Sequence, residues 1–301
     1  MVIFKAKGEK MKRLRRSMLF CPANNDKMLK TAHLRHSDCI IFDLEDAVYY
    51  SEKDNARKML CDAIRNMDYG ECEVFARINA LNTLFGEKDV RELVEAGIEN
   101  IRLPMCESKN DVNELEDMLT YYEKEFGREA GKIKIQGAIE TPKGVLNALE
   151  IATASERVIS ISFGAEDYTN CLGINRIKRP MEYLYARSHI SLCANVAGID
   201  SIDTVFTDIE DMDGFEKETA EAKNLGFSGK SCVHPSQVIK VHEIFTPTKE
   251  ETEAALKIVE KAEEAEREGI GVITVDGKMV DKPIIEKSQR IIKLARGAGL
   301  I

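Results

Sequence analysis

Along this 301-residue chain, short runs of β-branched and aromatic residues alternate with longer segments whose apolar positions recur every three or four residues. The runs are SMLFC (17–21), DCIIFD (38–43), EVFARIN (73–79), ENIRLP (99–104), KIKIQGAIE (132–140), RVISISFGAED (157–167), DSIDTVF (200–206) and FSGKSCVHP (227–235). They are nearly continuously apolar, as parallel strands covered on both faces should be. Segments 24–35, 51–66, 108–126, 142–153, 180–197, 211–224 and 235–243 read as helices. Ser51 to Asp54 and Ser108 to Asp111 have the form of N-caps with an acid in the first turn, and Thr141 caps a helix that begins on Pro142. Eight strand–helix units over 17–246 predict an α/β fold, a (β/α)8 TIM barrel. The competing arrangement is an open doubly wound sheet, but no GxGxxG loop follows the first run.

After the eighth unit the pattern changes. A long charged helix is expected over 248–268, then a strand pair within 271–280 turning at Asp276-Gly277, then a last helix over 284–296. This C-terminal helical and α/β appendage, 247–301, has too few apolar positions for a large core of its own and must dock, on its own barrel or on a neighbour's.

Composition narrows the function classes. Hydrophobic residues at 44% and charged residues at 32% describe a soluble globular chain, and no apolar run approaches the ~20 residues of a membrane span. The net charge of −9 argues against nucleic acid as the partner. Residues 1–16 form a basic arm that carries +6 and leaves −15 on the rest of the chain. Eight cysteines without a CxxC pair, several within apolar runs, and an N-terminus without a secretory h-region predict buried, reduced thiols and a cytoplasmic location.

Sites in such barrels lie at the C-terminal ends of the strands. There the sequence places Asp43, Glu45 and Asp46, then Arg77, then Glu140, then Gly164, Ala165, Glu166 and Asp167, and finally His234. Glu140 and Asp167 lie one unit apart, so they are expected to close adjacent strands. Two such oxygen ligands suit Mg²⁺, and capping of the following helices is the equal alternative. Arg77 offers a planar fork for a substrate carboxylate, or for an ion pair with Asp43, Glu45 or Asp46. His234 reads as a turn residue before a base.

The segments RRSMLFCPANNDKML, CIIFDLEDAV, FARIN, IRLP, GAIETPKGVLNA, SFGAEDY, DTVFTDIED, GFSGKSCVHPSQV and DGKMVDKP resemble the citrate lyase beta-subunit family of the HpcH/HpaI aldolase superfamily. The resemblance runs from about Arg15 to Arg296. It implies a Mg²⁺-dependent carbon–carbon lyase that cleaves a citryl-acyl-carrier-protein thioester to oxaloacetate and the acetyl thioester. It also implies that Arg77 and Glu140 hold the substrate, that Glu140 and Asp167 ligate the metal, and that the Gly164 and Ala165 amides touch the oxaloacetate carboxylate. Asp281 matches an aspartate that reaches a neighbouring subunit's site as acid or base, which implies a homo-oligomer, with a trimer as the count considered. The implied partners are the acyl carrier (gamma) and transferase (alpha) subunits of a citrate lyase complex. The alternatives are a coenzyme A-dependent malyl, methylmalyl or citramalyl thioester lyase, and a non-catalytic scaffold. The family pattern has glycine where Ala23 stands and lysine where Met105 stands.

Overall fold

The computed structural model describes residues 13–175, 180–267 and 273–301. It divides into two compact units, Arg15–Phe245 and a second that includes Leu14 and Thr246–Ile301. The first twelve residues of the basic arm lie outside the described residues.

The first unit is a closed barrel of eight parallel strands in sequence order: β1 Ser17–Pro22, β2 Cys39–Asp43, β3 Glu73–Arg77, β4 Asn100–Leu103, β5 Lys134–Ile139, β6 Val158–Phe163, β7 Asp200–Asp203 and β8 Gly229–Cys232. Closure comes from β8 pairing with β1, Lys230 opposite Ser17. Its helices are α1 Asp26–Thr31, α2 Lys53–Asn66, α3 Gly86–Ala96, α4 Lys109–Glu125, α5 Pro142–Leu146, α6 Ala148–Ala152, α7 Ala165–Leu172, α8 Leu184–Ala197, α9 Met212–Asn224 and α10 Pro235–Phe245. One large apolar layer fills the space around the strands, with Ile40, Phe42, Ile101 and Ile161 facing it. A small second cluster, Met18, Cys39, Ile41, Phe75 and Ile202, packs inside the barrel.

Local chemistry sets the helix starts. Ser108 and Asp111 form a reciprocal capping box at α4, and Thr141 Oγ1 accepts from Gly144 N at 3.1 Å at α5. The expected cap at Ser51 is not what forms. Residues Tyr50–Glu52 make a 3-10 turn, α2 starts at Lys53, and the Asp54 carboxylate pairs with Arg57 instead. The sixth run also ends earlier than its apolar stretch suggests. Strand β6 stops at Phe163, Gly164 turns the chain, and Asp167 lies in the first turn of α7 instead of closing a strand. Two acids, Glu166 and Asp167, suit the positive end of that helix.

Arg15 and Arg16, counted with the basic arm, are barrel residues. Arg15 grips Glu73 at 2.6 and 2.9 Å and Asp200 at 2.7 Å, and Arg16 binds Asp38 at 2.8 Å. Glu73 and Asp200 begin β3 and β7 and Asp38 immediately precedes β2, so the two arginines tie together the N-terminal end of the barrel.

In the second unit, α11 Lys249–Arg267 packs along α12 Lys282–Gly297. The hairpin β9 Ile273–Val275 and β10 Lys278–Val280 turns on Asp276 and Gly277, both at positive φ. Asp281 is the N-cap of α12, with Pro283 in its first turn. No helix of the described residues is long and apolar enough to cross a membrane. Six of the eight cysteines are buried, whereas Cys72 is half-buried and Cys171 exposed.

Candidate active site

Alternation along the strands builds the site. Met18, Ile41, Phe75 and Ile202 point into the barrel. Residues two further along therefore point inward one layer nearer the C-terminal end: Phe20, Asp43, Arg77 and Thr204. All four line a cavity of about 430 Å³ at that end, together with Arg102, Glu140, Gly164, Ala165, Glu166, Asp167 and Ser231. This volume is in the range of small-ligand pockets. The structure thus brings Arg77, Glu140, Gly164, Ala165 and Asp167 to one cavity. Asp281 belongs to the second unit. His234 is exposed, with Nδ1 2.8 Å from Ser236 Oγ at the start of α10, which matches the turn reading.

Arg77 is buried and anchored. Its Nε and Nη2 donate to the two oxygens of Asp43 at 2.8 and 2.7 Å. Its Nη1 donates to Asp46 at 3.2 Å and lies 2.9 Å from Glu45. The fork weighed for a substrate carboxylate is therefore closed on Asp43, and at most one or two of its donors remain for a ligand. Burial pushes the Asp43 carboxyl up, but Arg77 outweighs this and holds it below the usual carboxylate range. Glu45 goes the other way. Burial raises its carboxyl to about 8 although Arg77 lies close, because that guanidinium is shared with Asp43 and because Glu140 and Asp46 repel.

Glu140 follows β5 directly. Its Oε2 accepts from the Met105 amide at 2.8 Å, and Met105 takes a left-handed φ of 50° that aims the amide at it. A side chain at Gly164 would place Cβ 2.6 Å from Glu140 Cγ, so only glycine leaves this carboxylate room. Burial and then the charges of Glu140 and Asp46 raise the Asp167 carboxyl above its ordinary value. Carboxylates crowd one side of the cavity.

The two amides expected at the substrate carboxylate are already engaged. Gly164 N donates to Ile139 O at 2.9 Å and Ala165 N to Thr204 Oγ1 at 3.0 Å. In this arrangement they support the turn and are not open to a ligand. Behind Thr204, a buried network fixes the neighbouring strands. Lys230 Nζ donates to Thr204 O, Asp203 and Glu218, each at 2.8 Å, and Arg187 pairs with Asp203 at 2.9 Å.

Reading only strand ends missed Arg102, Phe20, Thr204 and Ser231. Arg102 had a signal: it is a charged residue inside an apolar strand run, at the inward position two before Pro104. Both Arg77 and Arg102 stack against the Phe20 ring at 5.2 Å. Among the described residues no three His, Cys, Asp or Glu side chains converge as a closed metal cage. Glu140 and Asp167 form an open pair of hard oxygen donors, which fits a Mg²⁺ ion that keeps several waters and takes its last ligands from substrate.

A closed barrel with a carboxylate-rich cavity at the C-terminal strand ends defines a barrel enzyme. A family model described as HpcH/HpaI aldolase/citrate lyase matches residues 16–235. Citrate lyase subunit beta of Leuconostoc mesenteroides subsp. cremoris is 45% identical over 289 residues, covering 96% of each chain. Among solved structures, protein CitE from Mycobacterium tuberculosis in complex with magnesium, acetoacetate and coenzyme A aligns with a TM-score of 0.73 at 28% identity, over 95% of this chain and 98% of that one. The M. tuberculosis citrate lyase beta subunit complexed with oxaloacetate and magnesium aligns at 0.66 and 30% identity, over 78% of this chain and 98% of that one. The chain belongs to the HpcH/HpaI aldolase/citrate lyase family. By class it is a carbon–carbon lyase.

Proposed function

We propose that this protein cleaves a citryl thioester, carried on an acyl carrier protein, to oxaloacetate and the acetyl thioester. Its likeness to citrate lyase beta subunits over nearly the whole chain supports the substrate. The observation that carries the chemistry is the crowding of Glu140, Asp167 and Asp46 at one cavity, where burial and then the neighbouring carboxylates raise the Asp167 carboxyl.

Glu140 and Asp167 would hold Mg²⁺. When bound, the ion supplies Lewis-acid polarisation of the hydroxyl and carboxylate oxygens of the oxaloacetate half. Glu140 keeps its orientation through the Met105 amide. Arg77, fixed by Asp43, turns its remaining donors to the substrate. A base takes the hydroxyl proton, the bond between the hydroxyl-bearing carbon and the thioester's methylene breaks, and its electron pair passes to the thioester as an enolate. An acid then protonates that carbon. Phe20, Phe163 and Val205 wall the cavity and limit water at this stage. Asp281 from a second copy is assigned the acid or base role, which makes the working enzyme a homo-oligomer within a complex that includes the carrier and transferase subunits. A coenzyme A thioester as substrate is the second reading, supported by the coenzyme A in the M. tuberculosis CitE complex.

Glu140→Ala and Asp167→Ala should each abolish cleavage and weaken Mg²⁺ binding by calorimetry, with the circular dichroism spectrum unchanged, because carboxylates at the barrel mouth add little to the core. Unchanged Mg²⁺ affinity in both variants would refute the metal assignment.

A further inference from the structure

One guanidinium in the cavity has no part in the reaction as described. Arg102 lies on β4, 3% exposed, and lines the same cavity as Arg77 and Glu140. Its Nη1 donates to the side-chain oxygen of Gln136 at 2.9 Å. Its Nη2 stands 3.9 Å from Glu140 Oε1, beyond hydrogen-bond reach, and its Nε has no partner. Ser231 Oγ, on β8 across the barrel, lines the cavity too and is likewise buried without a partner. Buried donors without acceptors are costly, and here two of them face one cavity. An anionic group entering the cavity would supply both acceptors and a countercharge.

Arg77 and Arg102 are the two cationic side chains lining this cavity, and the Arg77 fork is closed on Asp43. The oxaloacetate half of a citryl thioester carries two carboxylates. One adjoins the hydroxyl-bearing carbon and belongs with Glu140, Asp167 and their cation. The other lies beyond a methylene group and needs a cation of its own. We propose that Arg102 binds this second carboxylate, and so selects a substrate whose oxo-acid half is dicarboxylic over one in which a methyl group stands there. This rests on the reading of the site as a citryl thioester lyase, and it names the residue that would separate citryl from citramalyl thioesters.

The test compares binding of freshly dissolved oxaloacetate and of pyruvate, which lacks only the second carboxylate, by calorimetry at fixed Mg²⁺. The intact protein should prefer oxaloacetate. Arg102→Met should lower the ratio of the two affinities by about 10- to 100-fold, the size of a lost charged hydrogen bond, with pyruvate binding kept within about twofold. Arg102→Lys keeps a charge without the fork and should lower the ratio severalfold. Should Arg102→Met fail to fold by circular dichroism, Arg102→Lys decides on the same ratio. An intact protein without preference, an unchanged ratio, or an equal loss for both ligands would overturn the proposal. Failure of the intact protein to cleave any citryl thioester would instead refute the lyase reading and leave this ratio to be read on its own.

Discussion

Asp43 decides what Arg77 is able to do. By accepting from Nε and Nη2 it fixes the guanidinium plane, and the price is the fork that a substrate carboxylate would otherwise take. Glu45 stands next to this pair and titrates in an unusual range. Its carboxyl is raised by burial from 4.5 to about 8. Between those values the folded protein keeps a proton that the unfolded chain releases, so the stabilisation present below pH 4.5 is lost as pH rises towards 8 and stays lost above it. Glu45→Gln cannot ionise. In metal-free protein, the melting temperature of the variant relative to the parent should therefore rise from pH 5 to pH 8 and level off beyond. A constant difference across that range would mean Glu45 is ionised throughout.

At the level of elements, the turn from β6 into α7 is the most constrained part of the site. Gly164 leaves space for Glu140, while the amides of Gly164 and Ala165 are tied to Ile139 and Thr204. Gly164→Ala should push the Glu140 carboxylate from its seat and cost at least tenfold in kcat/KM while far-ultraviolet circular dichroism is retained. Near-parental kcat/KM would mean that Glu140 has room the geometry denies it. Strands β1, β2, β5 and β6 were legible as apolar runs buried on both faces, whereas the short β7 and β8, DSID and GKSC, were legible mainly from their place in the alternation of strands and helices. The end of β6 was not, because GAED continues an apolar run while its acids belong to a helix N-terminus. Arg77, Glu140 and Asp167 were legible as charges beside strand ends. Arg102 carried a signal, a charge inside an apolar run, but its place beside Arg77 on the inner face emerges only once the register is known. The fork of Arg77 could not be assigned from sequence, since Asp43 and a substrate carboxylate present the same chemistry to it.

At the scale of the whole molecule, the second unit has its own helix pair and hairpin but a small core, with Ala255, Ala262, Ala265, Ile292 and Ala295 among its buried residues. Asp281 caps α12, its side chain accepting from Ile284 N at 3.4 Å. If a second copy supplies it, mixing Asp281→Asn with Arg77→Ala protein, each inactive alone, should restore part of the activity once mass measurement proves mixed oligomers. Mixed oligomers without activity would restrict Asp281 to its cap. The claim that joins all three scales is that this cavity breaks the carbon–carbon bond of a citryl thioester. Product analysis after incubation with citryl-carrier, citryl-coenzyme A and citramalyl-coenzyme A, with and without Mg²⁺, tests it most directly. The account predicts oxaloacetate and the acetyl thioester from citryl-carrier with Mg²⁺, and no comparable cleavage of the citramalyl thioester. Absence of oxaloacetate from both citryl thioesters in the presence of Mg²⁺ would contradict it.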